Sequence, residues 1–289
     1  MGSTEEEESR FEVEHVRGQS RVVASRSIPP LKILNPANLS DAAMVFLSSY
    51  GGGMVQGDTV RLRIDCGDEA RVFVGSQANN RIFKHLDSPD TQQLINGTLG
   101  ARALVVSVPD PLVMHADSRF RQVQSWDLAA DSSLVLADWI QSGRSDSGES
   151  FAYQRWTSEL RIQVEGRIAC IDRFKSDPGE AAPGHPSRFG DRALMLNIYL
   201  VGPVRETLGP LLMPFTAFKE IPQVRELSEQ PTSPYPGLIV SMNPVENKNL
   251  SIVRALAHTR EDFKPMLTVL FKALQDEAWL GFNPLERKY

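Results

Sequence analysis

The chain has 289 residues, of which 41% are hydrophobic and 23% charged, ordinary values for a folded soluble protein with one large or two small domains. A formal net charge of -5 argues against nucleic acid or an anionic membrane as the main partner. No stretch approaches the roughly 18 apolar residues of a membrane helix, and the two cysteines, Cys66 and Cys170, have neither disulfide-framework nor metal-site spacing.

Taken in order, the chain begins with an acidic run, Glu5 to Glu8, without the basic and apolar regions of a secretion signal. Residues 1–10 are therefore expected to be a solvated tail, and 11–289 a single domain. Reduced, buried thiols and a cytoplasmic location follow from the cysteine usage. Short strands are expected at Phe11–Val16 and Arg21–Ala24, then an extended turn at Pro29-Pro30. The apolar run from Ala43 to Leu47 leads to Tyr50 and a loop with four glycines in seven positions, Gly51, Gly52, Gly53 and Gly57, followed by Asp58. Gln56 in the third glycine position argues against a dinucleotide loop, and Asp58 where lysine belongs argues against a P-loop. The loop reads as a glycine bulge between strands.

After the loop the period is two. Val60, Leu62, Ile64 and Cys66 alternate with Arg61, Arg63 and Asp65, and Ala70, Val72 and Val74 continue beyond a turn. This pattern predicts an antiparallel hairpin with one buried face. Residues 75–83 are polar, with Ile82 and Phe83 as anchors. The apolar strand Ala103–Val108 stops at Pro109-Asp110-Pro111. Further strands are expected at Phe120–Trp126, Leu134–Ile140 and Phe151–Trp156. A hairpin is expected from Leu160–Val164 with Ile168–Phe174. Asp177–Gly190 and Glu226–Pro236 read as loops, and Leu194–Val201, Leu238–Met242 and Ser251–Leu256 as strands. A helix over Leu208–Lys219 is weakened by Pro210 and Pro214. Near the end, Phe263, Met266, Leu267, Leu270, Phe271 and Leu274 form one helical stripe, expected to pack on the sheet, with Asp262 as cap and Pro265 in the first turn. The pattern predicts a mostly β chain with helix concentrated late, not a Rossmann-like alternation.

Enzyme chemistry has no positive support. The five histidines are scattered, with no H-E-x-x-H; no G-x-S-x-G elbow is present; no carboxylate pair stands out. Four tryptophans and five tyrosines, unclustered, argue against a polysaccharide-acting enzyme. What stands out are charged groups beside apolar strands: Asp58, Asp138, Arg144 and Glu149. They are read either as Arg144 paired with a carboxylate, or as a polar path or partner surface.

Five motifs in order resemble the urease accessory protein UreD (UreH) family. They are Pro30-Leu31-Lys32-Ile33-Leu34-Asn35-Pro36, the loop Tyr50 to Asp58, Gln77-Ala78 with Arg81-Ile82-Phe83, Pro109-Asp110-Pro111-Leu112 with Arg119-Phe120 and Gln122, and Gly143-Arg144 with Gly148-Glu149 and Phe151. The resemblance is good over residues 29 to 174 and weaker after Asp177. Gln56 stands where the family commonly has glycine, and the C-terminus lacks the family's P-R-I-W-like end.

The resemblance implies a fold of stacked β-sheets in a helical, β-helix-like arrangement with about two helices towards the C-terminus. It also implies a non-enzymatic chaperone of urease maturation. Implied partners are the urease apoprotein and UreF, which recruits the GTPase UreG, with no nucleic acid or membrane. No cofactor is held permanently; nickel is in transit, through an internal channel. An ion conduit needs oxygen or nitrogen ligands that replace lost water without trapping the ion, which scattered carboxylates suit. Asp58, Asp138 and Glu149 are accordingly expected to line or support a nickel path, with Arg144 orienting a carboxylate. Gly51, Gly52, Gly53, Gly57, Gln77, Arg81, Asp110 and Arg144 are expected to serve structure or partners. The alternative is a pure assembly scaffold that never contacts nickel.

Overall fold

Period-two alternation specifies which face of a strand is buried, but not which strand lies beside it. In the computed structural model, which describes residues 7–85, 89–216, 235, 237–245 and 248–287, the strands pair mainly with neighbours one coil away. The hairpin of β1 (Ser9–Val16) and β2 (Gln19–Arg26) comes first, so Ser9 and Arg10 belong to a sheet and not to a tail. β3 (Leu31–Leu34) runs antiparallel to β4 (Ala43–Ser49). The chain then coils for about four turns. The first turn holds β4, β5 (Gly53–Met54) and β6 (Thr59–Cys66). The second holds β7 (Arg71–Ser76), β8 (Asn80–Ile82) and β9 (Thr91–Leu99). The third holds β10 (Leu104–Ser107), β11 (Leu112–Met114) and β12 (Arg119–Leu128). The fourth holds β13 (Ser133–Gln141) and β14 (Arg155–Val164).

Stacking these turns makes two broad walls. In the first, β1, β6, β9, β12 and β14 are parallel neighbours. In the second, β4, β7, β10 and β13 are. β5, β8 and β11 form a narrow third face. Antiparallel strands finish the walls. β15 (Arg167–Ser176) folds back on β14, and β16 (Leu194–Val201) on β13. After α1 (Val204–Leu212), β17 (Leu238–Val245) and β18 (Leu250–Ala257) extend the second wall, and α2 (Lys264–Leu274) follows.

The chain is mostly β, with two helices and a solenoid-like stack, as the resemblance implied. The hairpin expected from Val60 to Val74 does not form. β6 and β7 lie in different walls, each with parallel neighbours, and the four residues between them turn a corner closed by Gly67 N–H to Val13 O (2.8 Å). Phe151–Trp156 is loop up to Arg155, where β14 starts; Phe151 itself has φ +52°. β9, polar at Gln92, Gln93 and Asn96, had no apolar run to announce it.

α1 starts four residues before the expected helix and carries Pro210 inside it; residues 217–219 lie outside the described residues, as does most of 226–236. Asp262 does not cap α2. Its Oδ2 accepts from Thr259 N–H at 2.8 Å in the turn before, while Pro265 does fall in the first turn.

Two cores share the second wall. Between the walls lie Phe11, Leu62, Ile64, Phe120, Trp126, Leu134 and Trp156. On the far side of the second wall, α1 and α2 cover Phe73, Val106 and Ile198 with Leu208, Met266, Leu270 and Phe271. Both faces of the second wall are therefore covered, which is usual for parallel sheet, and each fully buried Leu or Phe contributes roughly 1.5–3 kcal/mol.

Candidate functional site

The space between the walls is not wholly apolar. On β12 the buried phase reads Phe120, Gln122, Gln124, Trp126. Register sets Gln122 beside Gln93 of β9 and Ser158 of β14. On the second wall Asp138 of β13 lies beside Asn197 of β16, and Asn197 beside Arg254 of β18. Two polar rows thus enter an otherwise hydrophobic interior, where polar groups are tolerated only if hydrogen-bonded.

Asp138 is buried. Ser158 Oγ donates to its Oδ2 at 3.3 Å, and Gln122 also hydrogen-bonds it. Burial pushes the carboxyl up to about 6, with the nearby Asp172 charge adding to the rise and the Ser158 and Gln122 bonds opposing it. Asp172 is better supplied. Its Oδ2 accepts from Tyr199 Oη at 2.6 Å and from Arg254 Nη2 at 2.6 Å. Arg254 Nη1 donates to Asn197 Oδ1 at 3.3 Å. The Tyr199 phenol is pushed far above its ordinary range, first by burial and then by the Asp138 charge. It therefore stays a donor to Asp172.

Three spaces run along these residues. An inner cavity of about 80 Å³ is lined by Ser76, Asn80, Gln93, Asp110, Gln122 and Asp138 among apolar neighbours. A neck of about 10 Å³, room for about one water, lies among Asp138, Ser158, Asp172, Asn197, Tyr199 and Arg254. A groove of about 370 Å³ follows, with Phe174, Arg188, Ser241 and Arg254 in its walls. Asp138 is shared by the cavity and the neck, and Phe174 and Arg254 by the neck and the groove. Asn80 Oδ1 and Gln122 Oε1 at the cavity, and Trp156 Nε1 at the neck, are buried without a protein partner. Such atoms call for water or another polar guest.

The residues singled out in the sequence take separate places. Asp138 and Asp110 line the inner cavity; Ser76 Oγ donates to Asp110 Oδ2 at 2.9 Å, and Asp110 N–H returns a bond to Ser76 Oγ at 2.6 Å. Asp58 closes the glycine loop, accepting from Val55 N–H at 2.8 Å, and does not line the cavity. Gly51 and Gly52, both at φ +74°, make a short 3-10 turn in place of the expected bulge, and Gly57 is also left-handed. Gly53 leaves no room for a side chain against the Arg81 carbonyl and the Phe83 ring.

Arg144 does pair with a carboxylate, Glu149, through Nε to Oε2 at 2.9 Å and Nη2 to Oε1. The pair is not deeply buried: the Arg144 side chain is 49% exposed. The Arg144 hydrogen bond holds the Glu149 carboxyl down to about 2. Gln77 and Arg81 are exposed. Asp58, Asp138 and Glu149 do not converge, and among the described residues no three His, Cys, Asp or Glu side chains gather as a metal site.

Asp172, Asn197, Tyr199 and Arg254 escaped the sequence reading. The usable signal was polar residues on the buried phase of a strand, as at Gln122, Gln124 and Asn197.

The family profile described as UreD urease accessory protein matches residues 6–288. A urease accessory protein UreD from Cytophaga hutchinsonii is 33% identical over 279 residues, 96% of each chain. One from Sorangium cellulosum is 35% identical over 189 residues, 65% of this chain and 59% of that one. Urease accessory protein D from Arabidopsis thaliana is 32% identical over 157 residues, 53% of each.

Proposed function

The chain belongs to the UreD family of urease accessory proteins, and on that premise we propose that it carries nickel towards the urease active site along the polar path between its walls. It does so while held to the urease apoprotein and to UreF, with UreG joined through UreF. The protein makes and breaks no covalent bond in this role. The observation that carries the reading is the run of cavity, neck and groove with shared polar walls.

Nickel is the cargo. In the cavity it keeps much of its water, which the unpartnered Asn80 and Gln122 oxygens can anchor. At the neck, with room for about one water, part of that shell is exchanged for oxygens of Asp138, Ser158 and Asp172. Oxygen donors hold Ni²⁺ less firmly than a His or Cys cage would, so the ion can leave. Asp138 bears its charge mainly above about pH 6, so transfer falls away in more acid solution. Asp58 and Glu149 act indirectly, Asp58 by fixing the glycine loop and Glu149 by fixing Arg144. The orphaned polar atoms favour this reading over a pure scaffold, which has no use for a wet interior.

The test is reconstitution from urease apoprotein, UreF, UreG, nickel and bicarbonate, with and without this chain. Omission is expected to reduce urease activity to the level seen with no accessory chain. Equal activation without it, and no complex with either partner, would overturn the proposal.

A further inference from the structure

The neck is too small for a hydrated ion as it stands. Its volume of about 10 Å³ admits about one water. A side chain around it has to give way before a cation can pass. Trp156, Leu160, Asn197 and Tyr199 are buried, at 4% exposure or less. Phe174 reaches the groove, but its ring is held against Trp156 at 4.7 Å and Phe189 at 6.3 Å. Arg254 is placed differently. Its side chain is 41% exposed and lines both the neck and the groove of about 370 Å³.

Charge points to the same side chain. The neck is lined by two carboxylates, Asp138 and Asp172, and one guanidinium. Asp172 Oδ2 already holds two donors, Tyr199 Oη and Arg254 Nη2, both at 2.6 Å. That is the full complement of one carboxylate oxygen. A divalent ion set beside Arg254 would put three positive charges against the two carboxylates. With Arg254 withdrawn, two positive charges meet two negative ones. In a buried site the unbalanced arrangement is the costly one. Arg254 therefore offsets the carboxylates of the empty neck, and the ion offsets them once Arg254 has left.

The guanidinium also has a place to go. Register sets Arg254 of β18 between Asn197 of β16 and Ser241 of β17. Asn197 belongs to the neck, whereas Ser241 is exposed and lines the groove. Turning from one neighbour towards the other breaks the bonds to Asp172 and Asn197 and exchanges them for water and a hydroxyl. Of the other cations in the groove, Lys175 is paired with Glu180 at 2.6 Å and Arg188 is exposed to solvent. Their repulsion of the incoming guanidinium is therefore screened.

We propose that Arg254 gates the neck. It holds Asp172 while the neck is empty, swings into the groove when nickel arrives, and takes Asp172 back as the ion moves on. Its return speeds release, as mutual repulsion does between adjacent sites of a pore. The inference rests on the polar-path reading above and gives Arg254 a positioning role, without making it a ligand.

The test measures Ni²⁺ binding to the full chain at about pH 8, where Asp138 is ionised. Binding is read from quenching of tryptophan fluorescence. Only the part lost on Trp156→Phe is counted, because Trp156 lines the neck. Arg254→Gln is expected to bind Ni²⁺ about tenfold or more tightly than the wild type, since Asp172 keeps its charge and loses its counter-ion. Release to a chelator should slow by a similar factor. Arg254→Gln/Asp172→Asn removes both charges and should return to within about threefold of the wild-type affinity. A merely structural role for Arg254 would not tighten binding. Should Arg254→Gln not fold, Arg254→Lys answers the question. It keeps the charge but cannot fork to Asp172 and Asn197 together, so it should bind about threefold more tightly. Wild-type or weaker affinity in these Arg254 variants, with weakened binding in Asp138→Asn, would overturn the gate alone. No effect of Asp138→Asn, or no Trp156-dependent quenching in the wild type, would instead overturn the polar path and the gate with it.

Discussion

Asp138→Asn is expected to make the protein more stable at pH 8, by about 3 kcal/mol, and to leave it almost unchanged at pH 4. The carboxyl is buried and pushed up to about 6, whereas in the unfolded chain it titrates near 3.9. The folded state thus holds this proton more tightly than the unfolded state does. Its contribution to stability is fully present below about pH 4 and is lost as pH rises through 6. Asparagine cannot ionise, fills nearly the same volume and still offers an oxygen to Ser158 Oγ. The wild type therefore loses stability relative to the variant across that window, and the gap stays open above it. Urea denaturation of both proteins at pH 4 and pH 8 measures the difference directly. A gap of the same size at both values would show that the buried charge is not its source. On the expected result the natural residue is one that weakens the fold above about pH 6, the cost of keeping an ionisable oxygen in a buried wall.

Gly97→Val is expected to cost about 3 kcal/mol or more, at the upper end of the range for overpacked cores. Gly97 lies on β9 between Ile64 and Trp126, on the inward phase. A Cβ there would fall inside contact distance of the Trp126 ring. That ring is fully buried and its Nε1 donates to Gln124 Oε1 at 3.3 Å, so it has no direction in which to move without disturbing the polar row. Trp126→Leu alone also destabilises, by leaving a cavity. Combined, the two should partly compensate, with a favourable coupling of about 1–3 kcal/mol in a double-mutant cycle. Strict additivity would mean that the glycine is not there to admit the indole.

The sequence announced strands wherever apolar residues alternated, and their inward phases were correct from Val60 to Cys66 and from Leu160 to Val164, whereas on β15 a register shift turns Ile168 out to solvent, 42% exposed, and leaves Cys170 buried. Strand partners were another matter. β6 followed by β7 looks the same whether the turn reverses the chain or carries it round a corner. Only the family resemblance, through its five motifs, pointed to coiled sheets. β9 was missed because its inward residues include Gln93 and Gly97, the first for the polar row and the second for Trp126.

The candidate site was legible in part for a related reason. Asp138 stood out as a charge in an apolar strand. Asp172 and Arg254 did not, because a charged residue on an antiparallel strand is usually on its wet face. Their meeting depends on β15 folding back onto the first wall and on β18 being carried to the second wall by β16. No spacing in the chain encodes that meeting. Glu149 and Arg144, conspicuous in sequence, find each other within one loop.

The most direct test of a polar path is the rate of nickel-dependent urease activation with Asp138→Leu in place of the wild-type chain, with complex formation measured in the same samples. An isobutyl group at the meeting of cavity and neck removes the carboxylate and fills the space, while the exposed surface is untouched because Asp138 is buried. Binding at the wild-type level with activation slowed at least about tenfold is the result expected of a blocked conduit. Binding and activation both at the wild-type level would contradict the path and leave the chain as a scaffold.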